Sequence, residues 1–593
     1  MMARVTRRRV LALAGGSWAA LAAACAPRQS GGVADGGVAT GEVATGAAPS
    51  AAQPVPATSA AATAPSGGRL ASTITVALLQ LPPTLFHGLG GWSNLSKTEA
   101  LVGDWLVMPD DAGRLVPRLA REVPTFANGG ARWGGDGPGR RLHVTYRLRD
   151  GLTWQDGAPL TSADVRFAWE IQTHPQFPLI DRSLVGKVDE VQTLDALTAV
   201  AVFKPGAFDP DYARVGDVAP RHLWGTIPPA ELPKSEFAAN PVHAGPYRLK
   251  EFRPNEYAIY EANARYWAGP PRAGTIVLKM AADSNAMFAQ ARAGQQDVTM
   301  FGYTGADLLP ELERFAADGR HTVTSRPSTS TLIVALNLDR PLLADVRVRR
   351  ALLAATDRAG MNRAILHGRV DVLDSWMTPA SAGYQSNVPA LSGRESAARL
   401  LAEAGWAPGP DGVLAKDGQR FAMTLWGRTE DRQRELYMQA IARDWRAVGI
   451  EAEIKLQPTE QVFGKRGAGI ISRRDFDAVI WQVSPMDAAG GYTLWHSSQI
   501  PSEANGMTGE NYVGWRNAAA DAALETARGT TSEVERVAVY GQHQRLFMED
   551  LPALPLFSHG LLHLARAGVR NYRPTNSVRV ADTWNVAEWE ADA

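Results

Sequence analysis

The sequence has a single cysteine, Cys25, among 593 residues, and it has no long apolar run. One cysteine excludes an intramolecular disulfide, so core packing alone must hold the fold. The apolar stretch at residues 10–24 has 15 residues, mostly Ala, Gly and Leu. A bilayer core needs roughly 20 strongly apolar residues to be spanned, so this stretch does not predict a permanent transmembrane helix.

An excess of charge of one sign is also missing, because 61 basic residues stand against 61 acidic ones. Without the arginines at positions 4, 7, 8 and 9, the chain carries 57 basic and 61 acidic residues, formally −4. A nucleic-acid-binding protein would favour a basic patch, so this balance argues against nucleic acid as a partner.

Motifs of catalysis and metal binding are absent too. The chain contains no G-x-S-x-G, no H-E-x-x-H and no G-x-x-x-x-G-K. His559 and His563 are four residues apart, but they lie in an apolar run that predicts a β-strand. Four residues of a strand span roughly 13 Å, which is too far for one ion. The sequence therefore predicts no enzyme, no metal site and no cofactor.

What is present begins with residues 1–25, where arginines precede the apolar stretch and small residues lead into Cys25. This order is typical of a secretory signal. Residues 6–11 (TRRRVL) resemble the twin-arginine export signal; an ordinary signal with several arginines is the alternative. Residues 21–25 (LAAAC) resemble the lipobox of bacterial lipoproteins, with Leu21 four rather than three residues before the cysteine. Cys25 is therefore the predicted lipid acceptor, on a protein exported to the outer face of the cytoplasmic membrane or the periplasm.

Residues 26–70 consist mainly of Ala, Gly, Ser, Thr, Pro and Val. Such a segment cannot bury enough apolar surface to offset its ordering entropy, so it predicts a disordered tether. The body that follows has about 520 residues, which is too long for one core and predicts two or three domains.

Within this body, short β-like runs alternate with helical stretches. We predict strands at residues 74–79, 142–148, 257–260, 331–337 and 450–456. Helices are predicted at residues 345–367, 396–405 and 433–449, and as one or two helices in 521–550. Asp156 and Gly157 predict a tight turn, and Thr161 or Ser162 is a candidate helix cap. Because strands and helices are intermixed, the fold class is α/β.

A series of blocks carries a resemblance to a known family. In chain order they are LRDGLTWQDGAPLTSADV (148–165), GPY (245–247), NARYW (263–267), DVRVRRA (345–351), LLAEAGW (400–406), DFDA (475–478), NYVGW (511–515) and LPALPL (551–556). Together they resemble the extracellular solute-binding proteins of family 5, the oligopeptide, dipeptide and nickel binders of ABC importers. The resemblance covers nearly all of residues 70–593.

The resemblance implies a type II periplasmic-binding-protein fold, in which two lobes joined by a hinge close on a ligand, with one extra domain. Lobe I would comprise residues 71–112, 245–330 and 560–593; the extra domain would be 113–244, and lobe III 331–559. The hinge is expected near Ser330 and Phe557. The implied partners are an ABC permease with its ATPase, a solute or peptide, and the membrane through the lipid anchor, with a monomeric receptor.

The resemblance also implies a site. Peptide-binding relatives hold the ligand ammonium with an Asp three residues after a Trp; here Trp481 matches and Ser484 takes the place of that Asp. Asp487, three residues further on, either substitutes for it or merely caps a turn. Further candidate ligand contacts are Leu85, Phe86, Tyr492 and Trp495.

The preferred ligand is therefore an oligopeptide or dipeptide. Because Ser484 replaces a carboxylate, a non-peptide solute such as an oligosaccharide or a metal chelate stays open as an alternative. A structural surface lipoprotein with a vestigial cleft is a third interpretation.

Overall fold

The computed structural model describes residues 72–79, 81, 98–179, 182, 184–300, 309–385, 392–429, 432–465, 467–483, 491–575 and 582–592. The predicted signal with Cys25 and the predicted tether at 26–70 lie outside these ranges. Within them, no helix combines the length and the apolarity that a membrane crossing requires.

The described strands are, in chain order, β1 (Thr73–Leu78), β2 (Val107–Pro109), β3 (Leu115–Pro117), β4 (Ala131–Gly134), β5 (Arg141–Arg147), β6 (Val188–Asp195), β7 (Thr198–Phe203), β8 (Tyr247–Arg253), β9 (Tyr257–Ala262), β10 (Thr275–Met280), β11 (Val298–Met300), β12 (His321–Leu336), β13 (Ala407–Pro408), β14 (Leu414–Lys416), β15 (Gln419–Arg420), β16 (Ala422–Arg428), β17 (Glu451–Gln457), β18 (Ala478–Val483), β19 (Ala553–Arg566), β20 (Val569–Arg570) and β21 (Glu590–Ala591).

The described α-helices are α1 (Ser162–Thr173), α2 (Arg221–Trp224), α3 (Ser284–Arg292), α4 (Leu309–Ala317), α5 (Pro341–Ala344), α6 (Val346–Ala355), α7 (Arg358–Ile365), α8 (Arg394–Glu403), α9 (Arg432–Arg446), α10 (Thr459–Phe463), α11 (Ile470–Arg473), α12 (Tyr492–Trp495), α13 (Ala518–Gly529) and α14 (Glu533–Asp550).

Ten of the described strands form one sheet, in the order β17-β16-β18-β12-β19-β11-β1-β10-β9-β8. β12 and β19 are its longest strands, with 16 and 14 residues, and they pair antiparallel over most of their length. Along β12, the partner strand β18 covers residues 331–336 alone, and along β19, the partner strand β11 covers residues 563–565 alone. β12 and β19 therefore run through both halves of the sheet and connect the two lobes.

The ladder between β12 and β19 is irregular where the two halves meet. Pro327 pairs with Gly560 and Thr331 with Ser558, so residues 328–330 of β12 oppose only residue 559 of β19. A second shift follows, because Leu332 pairs with Phe557 and Ile333 with Pro555, which leaves Leu556 outside the ladder. Proline has no N–H to give to a ladder and is found at such bulges. These shifts lie where the sequence predicts the hinge, near Ser330 and Phe557.

A separate four-stranded antiparallel sheet, in the order β4-β5-β7-β6, lies within the range predicted for the extra domain. β5 alternates buried and partly buried residues, and five of the six residues of β7 are buried. This sheet has its own apolar core around Tyr146 and Trp154. The exact boundaries of the three domains remain a prediction.

The hairpin in block 148–165 forms as predicted. The Gly157 N–H donates to the Trp154 carbonyl at 2.9 Å, and Gly157 has a φ of +95°, which favours glycine. α1 then begins after Thr161, whose backbone N–H donates to the Asp164 carboxylate at 2.8 Å. The side chain of Gln155 donates to the Tyr247 carbonyl at 2.6 Å, so this hairpin is bonded to the GPY block.

Most predicted elements are confirmed within a few residues, including both helices of 521–550. The single helix predicted for residues 345–367 is wrong, because the chain forms α6 and α7 there, separated at Thr356 and Asp357. Asp345 caps α6 as expected, accepting from the Arg347 N–H at 2.8 Å. Asp357 then caps α7 by accepting from the Gly360 N–H at 2.8 Å. A short acidic side chain favours a new helix start over continuation of the old helix.

Candidate ligand cleft

The strand directions locate a cleft at the crossing of β12 and β19. In one half of the sheet β1 and β11 are parallel, and β11 runs towards the crossing along β19. In the other half β16 and β18 are parallel, and β18 reaches the crossing where Val483 pairs with Thr331. The carboxyl ends of parallel strands from both lobes therefore point to the crossing, and such ends are where open α/β sheets bind ligands.

Trp481 lies two residues before the end of β18 and pairs with Ile333. It is partly buried, and its ring centroid lies 5.2 Å from that of Tyr512 at an interplanar angle of 55°. Tyr512 is 5% exposed. Burial raises the pKa of the Tyr512 phenol, and so does the nearby Glu510, so this hydroxyl is protonated at neutral pH. The pair gives the end of β18 an aromatic wall.

Asn511 fixes the loop that carries Tyr512. Its side chain is fully buried and donates to the carbonyls of Trp495, His496 and Trp515 at 3.0–3.1 Å. Its amide oxygen accepts from the N–H groups of Gly514 and Trp515 at 3.0 and 3.1 Å. The asparagine of the NYVGW block therefore holds this loop in place by hydrogen bonds. This role was not predicted from the sequence.

A buried cation lies beside the same strand end. Arg434 of α9 is 8% exposed, and its guanidinium donates to the amide oxygen of Gln482 at 2.8 Å. Gln482 follows Trp481 and therefore projects from the opposite face of β18. Gln482 is the one polar residue of the strand sequence AVIWQV, which was the available signal for it, and nothing in the sequence connects Arg434 with this strand.

Tyr492, a predicted ligand contact, is partly buried at the start of α12. Its ring stacks on His496 at 4.4 Å, and the guanidinium of Arg528 lies 4.3 Å from the ring centroid. The Tyr492 hydroxyl donates to Glu525 at 3.3 Å. These contacts tie Tyr492 to α13, and its role towards a ligand remains a prediction.

Trp495 is 1% exposed and lies in the core of lobe III. Its ring packs edge-on against Phe547 at 4.9 Å and lies 6.1 Å from Trp376. Trp376 in turn donates from its indole N–H to Nδ1 of His543 at 3.0 Å. In this conformation Trp495 presents no exposed face to a solute, so a ligand contact by this residue stays a prediction.

The other candidate ligand contacts, Leu85, Phe86, Ser484 and Asp487, lie outside the described residues. Chain connectivity alone assigns Ser484 and Asp487 to the segment after Val483 of β18. Leu85 and Phe86 follow β1, whose carboxyl end also points to the crossing. Both groups thus follow strand ends that belong to the cleft.

β19 contains both His559 and His563, which confirms the predicted strand. His563 Nδ1 lies 3.0 Å from the Tyr572 hydroxyl. Across the described ranges, no group of three or more His, Cys, Asp or Glu side chains could hold a metal ion.

Comparison with known proteins agrees with this geometry. The family model "Bacterial extracellular solute-binding proteins, family 5 Middle" matches residues 139–502. The oligopeptide-binding protein AppA of Bacillus subtilis is 26% identical over 519 residues, covering 86% of this chain and 89% of that protein.

Solved structures show the same fold. The structure of Bacillus subtilis AppA in complex with a nonapeptide has a TM-score of 0.68 at 23% identity, covering 88% of this chain and 99% of that one. Campylobacter jejuni NikZ in complex with Ni(L-His) has a TM-score of 0.70 at 21% identity, covering 87% and 99%.

Proposed function

The chain belongs to family 5 of the bacterial extracellular solute-binding proteins, and from this premise we propose that it captures an oligopeptide or dipeptide between its lobes and delivers it to an ABC importer. The observation that carries the proposal is the convergence of strand ends from both lobes on one crossing, with Trp481 beside it. The peptide-binding relatives support the ligand class.

Binding would bias the protein towards the closed arrangement of its lobes, which the permease and its ATPase would recognise. An extended peptide gains main-chain hydrogen bonds that do not depend on its sequence, which suits a receptor for many peptides. Such a receptor would perform no chemistry on its solute.

In the first experiment the purified mature chain is titrated with peptides of two to nine residues. Calorimetry and thermal shift measure the binding. A peptide at about a hundred times its dissociation constant stabilises the folded state by ~2.7 kcal/mol. We expect a shift with peptides, and Trp481→Ala to weaken binding by about tenfold or more, since one buried aromatic contact contributes about 1.5–3 kcal/mol. Trp133→Ala, a partly buried aromatic of the four-stranded sheet, is the matched control.

Acetylating the peptide amino terminus tests Asp487. If Asp487 holds the ammonium, acetylation weakens binding to the native chain, while Asp487→Asn binds both peptides equally weakly. No shift with any peptide, together with a shift with an oligosaccharide or a nickel chelate, would favour the non-peptide alternative. Of these two solutes the nickel chelate is tested first, because NikZ has been solved in complex with Ni(L-His).

We further propose that Cys25 carries the lipid anchor, that residues 26–70 form the tether and that export follows the twin-arginine route. The family acts outside the cytoplasm, and a tether would hold a monomeric receptor close to its importer. Cys25→Ser should release the protein from the membrane fraction, and replacing Arg7 and Arg8 by Lys should block its export. A Cys25→Ser protein that still sediments with membranes refutes the anchor.

A further inference from the structure

The irregular crossing of β12 and β19 leaves backbone groups outside the ladder. Ser328 belongs to the three β12 residues that oppose residue 559 alone, and Leu556 is the unpaired residue of β19. A carbonyl buried without a hydrogen bond costs free energy, so these groups need partners from elsewhere in the fold.

A single segment, residues 371–378, supplies partners to both strands. The Thr378 hydroxyl donates to the Ser328 carbonyl at 2.8 Å, and the Leu373 N–H donates to the Leu556 carbonyl at 3.1 Å. The Thr331 hydroxyl donates to the Trp376 carbonyl at 2.8 Å. We call this segment the brace.

The brace also follows the outer edge of β19. Val372 forms an isolated antiparallel bridge with Phe557, and the Ser558 N–H donates to the Asp371 carbonyl at 2.9 Å. β12 occupies the other edge of β19, so the brace and β11 share one edge on opposite sides of the crossing. The brace thus hydrogen-bonds to the irregular part of β19, at residues 556–558, on the lobe III side of the crossing.

Arg358 of α7 anchors the brace. Its guanidinium is buried and donates to the carbonyls of Leu373 and Pro555, the latter at 3.0 Å, and to Asp374 at 3.1 Å. Ser375 adds a hydrogen bond from its hydroxyl to Gln544 of α14 at 2.8 Å. The buried side chain of Arg358 therefore joins α7, the brace and β19.

We propose that the brace sets the open–closed balance of the lobes, with Arg358 as a positioning residue that affects solute affinity without touching the solute. The inference rests on the lobe closure that the proposed function requires. Closure must twist β12 and β19 at residues 328–331 and 555–558, and the brace bonds to both stretches resist that twist. Weakening the brace then widens the range of lobe arrangements in the free protein and raises the fraction that reaches the closed arrangement.

The test measures the distance between the lobes without any solute. In the Cys25→Ser background, which has no other cysteine, Ala289→Cys on α3 and Ala398→Cys on α8 introduce two exposed sites for spin labels. We compare the distance distributions of this protein with those of Arg358→Lys and of the double variant Thr331→Val plus Thr378→Val. We expect both variants to broaden the distribution.

Arg349→Lys is the matched control. Arg349 of α6 is equally buried and holds backbone carbonyls at Leu343, Ala344, Asp550 and Leu551, but it makes no contact with the brace. It should lower thermal stability as Arg358→Lys does while leaving the distance distribution unchanged. The valine variants keep the side-chain volume of threonine, so they test the hydrogen bonds even if Arg358→Lys folds poorly.

Distance distributions that stay unchanged in the folded double variant would overturn the proposal, as would equal broadening in Arg349→Lys. Once a peptide is known to bind, affinity for it should rise about three- to tenfold in the brace variants, because closure then costs less free energy. Because the distance measurement needs no solute, its failure would concern the brace alone, whereas failed peptide titrations would concern the proposed function.

Discussion

His543 is a buried base whose tautomer is set by one neighbour and whose charge is set by burial. Its Nδ1 accepts from the Trp376 indole N–H, so its proton must be on Nε2. Complete burial lowers the pKa of His543 from 6.5 to about 3. In the unfolded chain His543 is protonated below about pH 6.5, whereas in the folded chain it stays neutral down to about pH 3. Acid therefore favours unfolding between these two pH values.

The free energy of unfolding should therefore rise with pH between about 3 and 6.5. Above pH 6.5 His543 is neutral in both states, and the acid destabilisation is absent. At pH 4.5 the His543 contribution costs roughly 3 kcal/mol relative to neutral pH. His543→Asn keeps an acceptor for Trp376 and does not titrate, so urea unfolding at pH 7 and 4.5 should show a smaller acid loss in this variant. Equal losses in both proteins would contradict the assignment.

Residue-level reasoning from the sequence identified Trp481 but could not separate the aromatic residues that follow it. Tyr492 and Trp495 are three positions apart, yet one stacks on His496 at the surface of α13 and the other packs into the core. Their difference depends on α13 and α14, which lie further along the chain. Local spacing contains no such information, and the same is true of Arg358 and the brace.

At the scale of elements, the periodicity of apolar residues predicted most helices and strands. It failed between α6 and α7, because the apolar stripe continues across a break that only the cap chemistry of Asp357 marks. The Thr356 hydroxyl donates to the Leu352 carbonyl at 2.8 Å, and the Asp357 N–H donates to Asp444 at 3.0 Å. Both bonds favour the break, and the second comes from a distant helix.

Asp357→Ala should destabilise the protein by about 1 kcal/mol, since it removes the side chain that caps α7. Chemical denaturation measures the loss. Glu395→Ala, in the first turn of α8 where Gly393 is the N-cap, should change the free energy of unfolding by less than about 0.5 kcal/mol. Similar losses in the two variants would mean that the cap bond does not stabilise the break.

At the scale of the whole molecule, Asp104 joins segments that lie on both sides of the extra domain in the sequence. Its fully buried carboxylate accepts from Arg118 at 3.0 Å, from the Trp267 indole at 2.8 Å and from the Tyr266 hydroxyl at 3.2 Å. The NARYW block thus supplies two of the three side-chain donors. The Tyr and Trp of this block hydrogen-bond the segment around residue 266 to the segment around Asp104.

Asp104→Asn should cost about 3–5 kcal/mol, because it leaves the largely buried guanidinium of Arg118 without its counter-charge. Equilibrium unfolding in urea measures the loss. Glu122→Gln breaks an exposed pair with Arg147 and should cost no more than about 1 kcal/mol. A cost of similar size for both substitutions would exclude a special role for the buried network.

The two long strands that join the lobes are hydrogen-bonded neighbours, and this limits how the molecule can move. The ladder holds the two strands in register, whereas the twist between neighbouring strands varies widely among sheets. We therefore expect the lobes to rotate mainly about one axis, which would be nearly the same for solutes of different length. In the proposed closure, selectivity among solutes would then depend on what fills the space between the lobes, and the importer would meet nearly the same closed shape with each solute.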